Sequence, residues 1–180
     1  MQKLITVTVL LVSSVFAAPL LAQQDVFIKE YLERLEKSKE YLILVAETMP
    51  EDKYTFKATP ESMSFAENLM HIAWAMDWHS QSLMGERKAR DWNTDTELKV
   101  ATKSKKEMIA AVAKNFDKTL EFISKFDVNK LEQRLDYFGA NRTKRQILLL
   151  LADHITHHRG QMLVYMRLNK LKPPRYVLYQ

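Results

Sequence analysis

The chain has to place two histidines, His154 and His158, inside a protein interior. They stand four residues apart in a stretch of helical periodicity, ILLLLADHITHHRGQMLVYMR, residues 147–167. At about 100° per residue the two imidazoles differ by only about 40° in direction and lie about 6 Å apart along the axis. The same face carries Ile147, Leu151, Gln161, Met162 and Tyr165, so it is apolar apart from the histidines and Gln161. A face of that kind turns toward a core. Imidazoles aimed at a core need hydrogen-bond partners or a metal, and this spacing lets both grip one divalent ion.

Three further segments repeat the helical pattern. Residues 25–49 place Phe27, Tyr31, Leu32, Leu35, Tyr41, Leu42 and Val45 on one stripe, ended by Pro50. Ser64 and Glu67 form a capping box, from which Phe65, Leu69, Ile72, Met76 and Leu83 continue a helix to Met84, where Gly85 stops it. Residues 104–126 carry Met108, Ile109, Val112, Phe116, Leu120 and Ile123. Thr143 and Gln146 cap the fourth helix, which Asn169 and Pro173-Pro174 end. The connectors are a polar stretch at 53–59 pinned by Tyr54 and Phe56, a long loop at 86–102 with Trp92 as its only large apolar anchor, and 127–140, expected to hold a short helical turn around 131–135. Three glycines and five prolines leave little turn material for an all-β fold. The expected architecture is all-α, a four-helix bundle with long connectors.

Residues 1–22, MQKLITVTVLLVSSVFAAPLLA, read as a secretory signal: one basic residue, Lys3, an uncharged apolar run, Pro19, and the small residue Ala22 at the expected cleavage position. The rival reading is an uncleaved anchor, because the run approaches spanning length. The signal reading predicts one domain over 23–180, secreted across the inner membrane and periplasmic, with no stable membrane anchor after cleavage. Net charge is +5, with lysines interleaved among glutamates along the helices. Denser basic spots at 103–106, 142–145 and 170–175 lack interleaved aromatics, so no nucleic-acid partner is expected. The absence of cysteine excludes disulfides, cysteine-ligated zinc and a thiol nucleophile. The chain contains no His-Glu-x-x-His, Cys-x-x-Cys-His, Walker or Gly-x-Ser-x-Gly motif, and no paired Glu-x-x-His.

His71, on the second helix, can converge with His154 and His158 on the fourth. Three neutral imidazoles with coordination positions left for water make a catalytic type of site rather than a closed one. Imidazole ligation suits Zn, Ni, Fe or Cu without selecting among them. The plainer alternative is three satisfied core histidines. His157, about 60° from His154, is expected on the flank, and His79, offset by about 80° from His71, at the rim. Asp153, Glu67 and Asp77 are expected as solvated charges, with support of a metal ligand as their alternative role. Trp74, Trp78 and Tyr165 read equally as pocket lining or as core.

The segment from Ser64 through Glu67, Asn68 and His71 to Ile72, then His154-Ile-Thr-His-His158-Arg159-Gly160-Gln161, then Pro173-Pro174, resembles the DinB/YfiT superfamily. The resemblance runs over roughly 25–175. It implies a four-helix bundle, often a homodimer, with one divalent transition metal (Zn, Ni or Fe) held by His71, His154 and His158. It also gives Gly160 a reason, the close approach of a neighbouring helix. Gln161, three residues after His158, is a candidate catalytic residue that orients a ligand or a metal-bound water, with an ordinary polar rim residue as the alternative. The implied activity is that of a metal-dependent enzyme of hydrolase or transferase type acting on a small molecule. The alternatives are a noncatalytic metal- or ligand-binding bundle and a small haem carrier. Some relatives use a low-molecular-weight thiol; an export signal fits poorly with a cytosolic thiol cosubstrate.

Overall fold

The computed structural model describes residues 2–101 and 103–177, with side chains described from Asp25 onward. The signal reading of residues 1–22 falls outside the described side chains. Among the described residues four α-helices are present: α1 (Gln2–Thr48), α2 (Phe65–Asp77), α3 (Lys105–Ser124) and α4 (Lys144–Leu168). α2 continues as a π-helix, Trp78–Met84, to the glycine stop expected from the sequence. No helix among them is long and apolar enough to cross a membrane.

Helix starts follow the local chemistry. In α2 the Ser64 hydroxyl accepts from the Glu67 amide at 3.1 Å while the Glu67 carboxylate accepts from the Ser64 amide at 2.6 Å. Thr143 and Gln146 reciprocate in the same way at α4, and Ser104 and Glu107 at α3. Each box satisfies two otherwise orphaned amides, worth about 1 kcal/mol per cap. α2 packs on α3 and α4, and α1 packs on the same two helices. Leu42, Leu69, Met76, Val112, Phe116, Ile147, Leu151 and Met162 are fully buried between them. Tyr54 buries its ring and donates to the Ala46 carbonyl at 2.7 Å, and Phe56 packs on Tyr165, so the 53–59 connector is pinned as expected.

Two connectors differ from expectation. The segment expected to turn as helix around 131–135 instead forms an antiparallel hairpin, β1 (Arg134–Tyr137) and β2 (Ala140–Thr143), preceded by a 3-10 turn at Val128–Lys130. The fold is therefore mostly helical with a small sheet, not purely α. The physical reason is alternation: Leu135 and Tyr137 face inward while Arg134 and Asp136 face water. Phe138 (φ 53°) and Gly139 (φ 81°) both adopt left-handed conformations, as a two-residue type I′ turn demands. In the 86–102 loop, Trp92 is 50% exposed and Leu98 fully buried, so Leu98 is the anchor. A hydrophobic contact that a single leucine makes at full depth outweighs a half-exposed ring.

Candidate metal centre

α2 carries His71, and α4 carries His154 and His158. Their ring centroids lie 4.9 Å (His71–His154), 4.6 Å (His71–His158) and 4.5 Å (His154–His158) apart. One ligating nitrogen from each falls within 4.8 Å of the other two. A tetrahedral ion with bonds of 2.0–2.1 Å sets its nitrogens about 3.3 Å apart, a closure that small ring rotations supply. The expected triad thus comes together.

Two observations test whether these side chains fit an ion. First, His154 Nε2 is buried with no hydrogen-bond partner. A buried ring nitrogen without a partner is uncommon and costly, and a cation would satisfy it. Second, burial and mutual proximity hold the imidazoles neutral. His154 is pushed down to about 4 and His158 to about 3, each chiefly by burial and then by its histidine neighbours, and burial also lowers His71. Neutral imidazole is the ligating form. The donor set fits a divalent transition metal.

Asn68 went unnoticed as a site residue in the sequence. Its side chain is fully buried one turn before His71. Its amide nitrogen donates to the Ser64 carbonyl at 2.9 Å and the Met63 carbonyl at 3.2 Å. Because carbonyls only accept, Asn68 Oδ1 is the atom turned toward His158 Nδ1, 2.8 Å away. Nδ1 of His158 therefore carries the proton, and Nε2 is left with its lone pair.

His79 departs from its expected rim position. It is 4% exposed, at the start of the π turn, with Nδ1 2.7 Å from the Ala75 carbonyl and Nε2 2.9 Å from the Tyr137 hydroxyl. Its ring centroid lies 6.3 Å from that of His154. A regular α phase misplaces residues beyond Trp78, because a π turn holds more residues. His157 is exposed, as expected, and Gln161 hydrogen-bonds to it at 2.9 Å.

The carboxylates divide. Asp153 is exposed beside Arg34, and Glu67 is spent on its capping box and on Lys57. Asp77, expected as a solvated charge, is buried and paired with Arg87 and Arg90. Gly160 departs from the close-approach reading, since a Cβ there would meet nothing within 4 Å. Tyr165 is core, its hydroxyl donating to the Met63 carbonyl at 2.9 Å. Trp74 packs edge-on against Trp92, and Trp78 stacks on Phe138 at the hairpin tip. A cavity of about 400 Å³ reaches His71 between Met63, Met70, Trp92 and Leu98, with Lys57 and Lys99 on its wall. Its size and apolar lining suit a small-molecule site.

The model of the DinB superfamily matches residues 34–162. An uncharacterized protein of Bacillus subtilis (strain 168), YjoA, is 27% identical over 130 residues, covering 68% of this chain and 78% of its own. The crystal structure of the DinB-like protein YjoA from Bacillus subtilis superposes with a TM-score of 0.64 at 22% identity, over 86% of this chain and 99% of that one. A DinB-like protein from Bacillus cereus ATCC 10987 gives the same TM-score and identity over 83% and 94%. These structures share the fold.

Proposed function

We propose that this chain, which belongs to the DinB superfamily, holds one divalent transition-metal ion (Zn, Ni or Fe) through His71, His154 and His158 and uses it in a hydrolase- or transferase-type reaction on a small molecule. The observation that carries the reading is the orphaned, buried Nε2 of His154 within a cluster of three neutral imidazoles. A bound ion of this class acidifies water and polarises carbonyl or phosphoryl oxygens. The protein's own part is to orient and to exclude water. Asn68 holds His158 in one tautomer. The cavity beside His71 takes the apolar body of the ligand against Met70 and Leu98. Gln161 is hydrogen-bonded to the exposed His157, so it is an outer-rim candidate for ligand contact.

The wider reading joins this to the rest of the chain. The four helices form a bundle of the DinB type, residues 1–22 direct export to the periplasm, 23–180 act as one domain, and two copies associate. Elemental analysis of protein purified without chelator or immobilised metal, beside His154→Ala, tests the core of it. Near one equivalent of a transition metal, lost in the variant, is expected, followed by metal-dependent turnover in a substrate screen. Absence of metal from the unaltered protein after reconstitution would overturn the proposal.

A further inference from the structure

A second cavity, of about 770 Å³, opens where the π turn, α3 and the start of α4 meet, and none of the triad histidines lines it. Its wall is rich in charge, but the charges are unevenly matched. Asp77 is paired with Arg87 and Arg90, and Glu121 with Lys125 at 2.7 Å. Asp127 turns its carboxylate to the Asn129 backbone amide at 3.1 Å and side-chain amide at 3.0 Å. Lys118, Lys130 and Lys144 have no carboxylate within ion-pair distance among the described residues, and Glu86 is the remaining unpaired acid on the wall.

Lys144 is the telling member. It is 5% exposed, and its ammonium has no hydrogen-bond acceptor; its close neighbour is the ring of Phe126, 5.7 Å from Nζ to centroid. It is also the first residue of α4, directly after the Thr143 cap. The start of a helix carries partial positive charge, which favours anions and disfavours a lysine. The stem is buried while the ammonium opens into the cavity without a carboxylate partner. One anion in the cavity relieves that helix-start penalty, and the helix start and the ammonium act on it together. The apolar side of the same cavity is formed by Met84, Phe122 and Phe126.

We propose that this cavity binds a small organic anion, a phosphate or carboxylate group seated against Lys144 with its apolar body on Phe122 and Phe126. The site stands apart from the histidine cluster and does not depend on the metal reading. The test is an NMR titration of the full chain with phenyl phosphate, benzoate and inorganic phosphate, in the unaltered protein, Lys144→Met and His154→Ala. Saturable amide shifts are expected around Lys144, Lys130 and Phe126. The two aromatic anions should bind more tightly than inorganic phosphate, and which of the two binds tighter identifies the preferred headgroup. Lys144→Met should weaken binding at least tenfold, and His154→Ala should leave it unchanged. Without ligand, Lys144→Met should melt no lower than the unaltered protein, since it removes a cation from the positive end of α4 while keeping the stem's volume. Equal affinity in Lys144→Met, or shifts that rise without saturating, would overturn the proposal.

Discussion

His158 Nδ1 and Asn68 Oδ1 lie 2.8 Å apart, and the orientation of that amide is set by two backbone carbonyls on its other side. Asn68 thereby ties a triad ligand on α4 to the first turn of α2. Asn68→Leu keeps the approximate volume and removes the acceptor. Losing such an outer partner of a ligating histidine costs roughly 10–100-fold in metal affinity. Competition against a chromophoric chelator should show that loss with helix content unchanged. Unaltered affinity would remove Asn68 from this role.

Acid should destabilise the metal-free protein through the same histidines. In the unfolded chain each imidazole titrates near 6.5. In the folded protein His154 titrates at about 4 and His158 at about 3, with His71 and His79 also lowered. Between these values the unfolded state binds more protons, so stability rises with pH. The contribution is complete above about 6.5 and is lost as pH falls toward 4 and then 3. Thermal melts of chelator-treated protein should fall across that window, and less steeply in His158→Gln. A flat profile would contradict the buried neutral state of the cluster.

The triad and the helices that carry it were legible because they rest on local signals: spacing at i and i+4, capping boxes at Ser64 and Thr143, and stop signals at Gly85 and Asn169. What escaped was set by long-range or irregular geometry. His79 is buried because the π turn at Trp78 breaks the regular phase and Tyr137 arrives from the hairpin. The hairpin itself is two four-residue strands, and its turn uses Phe138 where asparagine or aspartate usually announces the bend. Asn68 looks like any polar residue near a helix start until His158, 90 residues later, is placed against it. Leu98 carries no periodic pattern that sets it apart from its loop, and only the packed structure shows its depth.

Gly160 offers a clean substitution. It sits within α4, half-buried, with open space where a Cβ would be. Gly within a helix is less favourable than Ala by about 1 kcal/mol. Gly160→Ala should therefore raise the melting temperature by about 2–4 °C for a chain of this size. If two copies close over this face, the same methyl group would meet the partner, and sedimentation would show weakened self-association. A rise in stability without change in mass leaves the face free of a second copy.

Arg90 holds the long loop beside the candidate site. Its guanidinium donates to Asp95 at 2.8 Å and Glu97 at 2.7 Å, and its Nε lies 3.1 Å from buried Asp77. Glu97, bonded to Lys114 and Arg90, is held down to about 2. Arg90→Met leaves Asp95 and Glu97 without their shared cation and Asp77 with Arg87 alone. Breaking one side of a buried pair costs roughly 3–5 kcal/mol, and the partial exposure of Glu97 places the expected loss at or below the lower end. The loss should be local, because Leu98, Val100 and the Trp92–Trp74 contact still hold the 86–102 loop to the helices. Amide exchange at 91–100 should accelerate while the α4 amides around His154 keep their protection, and metal affinity should change little. Ligands that enter the cavity beside His71 should bind more weakly, since Trp92 and Leu98 form part of its wall. Uniform acceleration across α4 would show instead that Arg90 supports the whole core and not the loop alone.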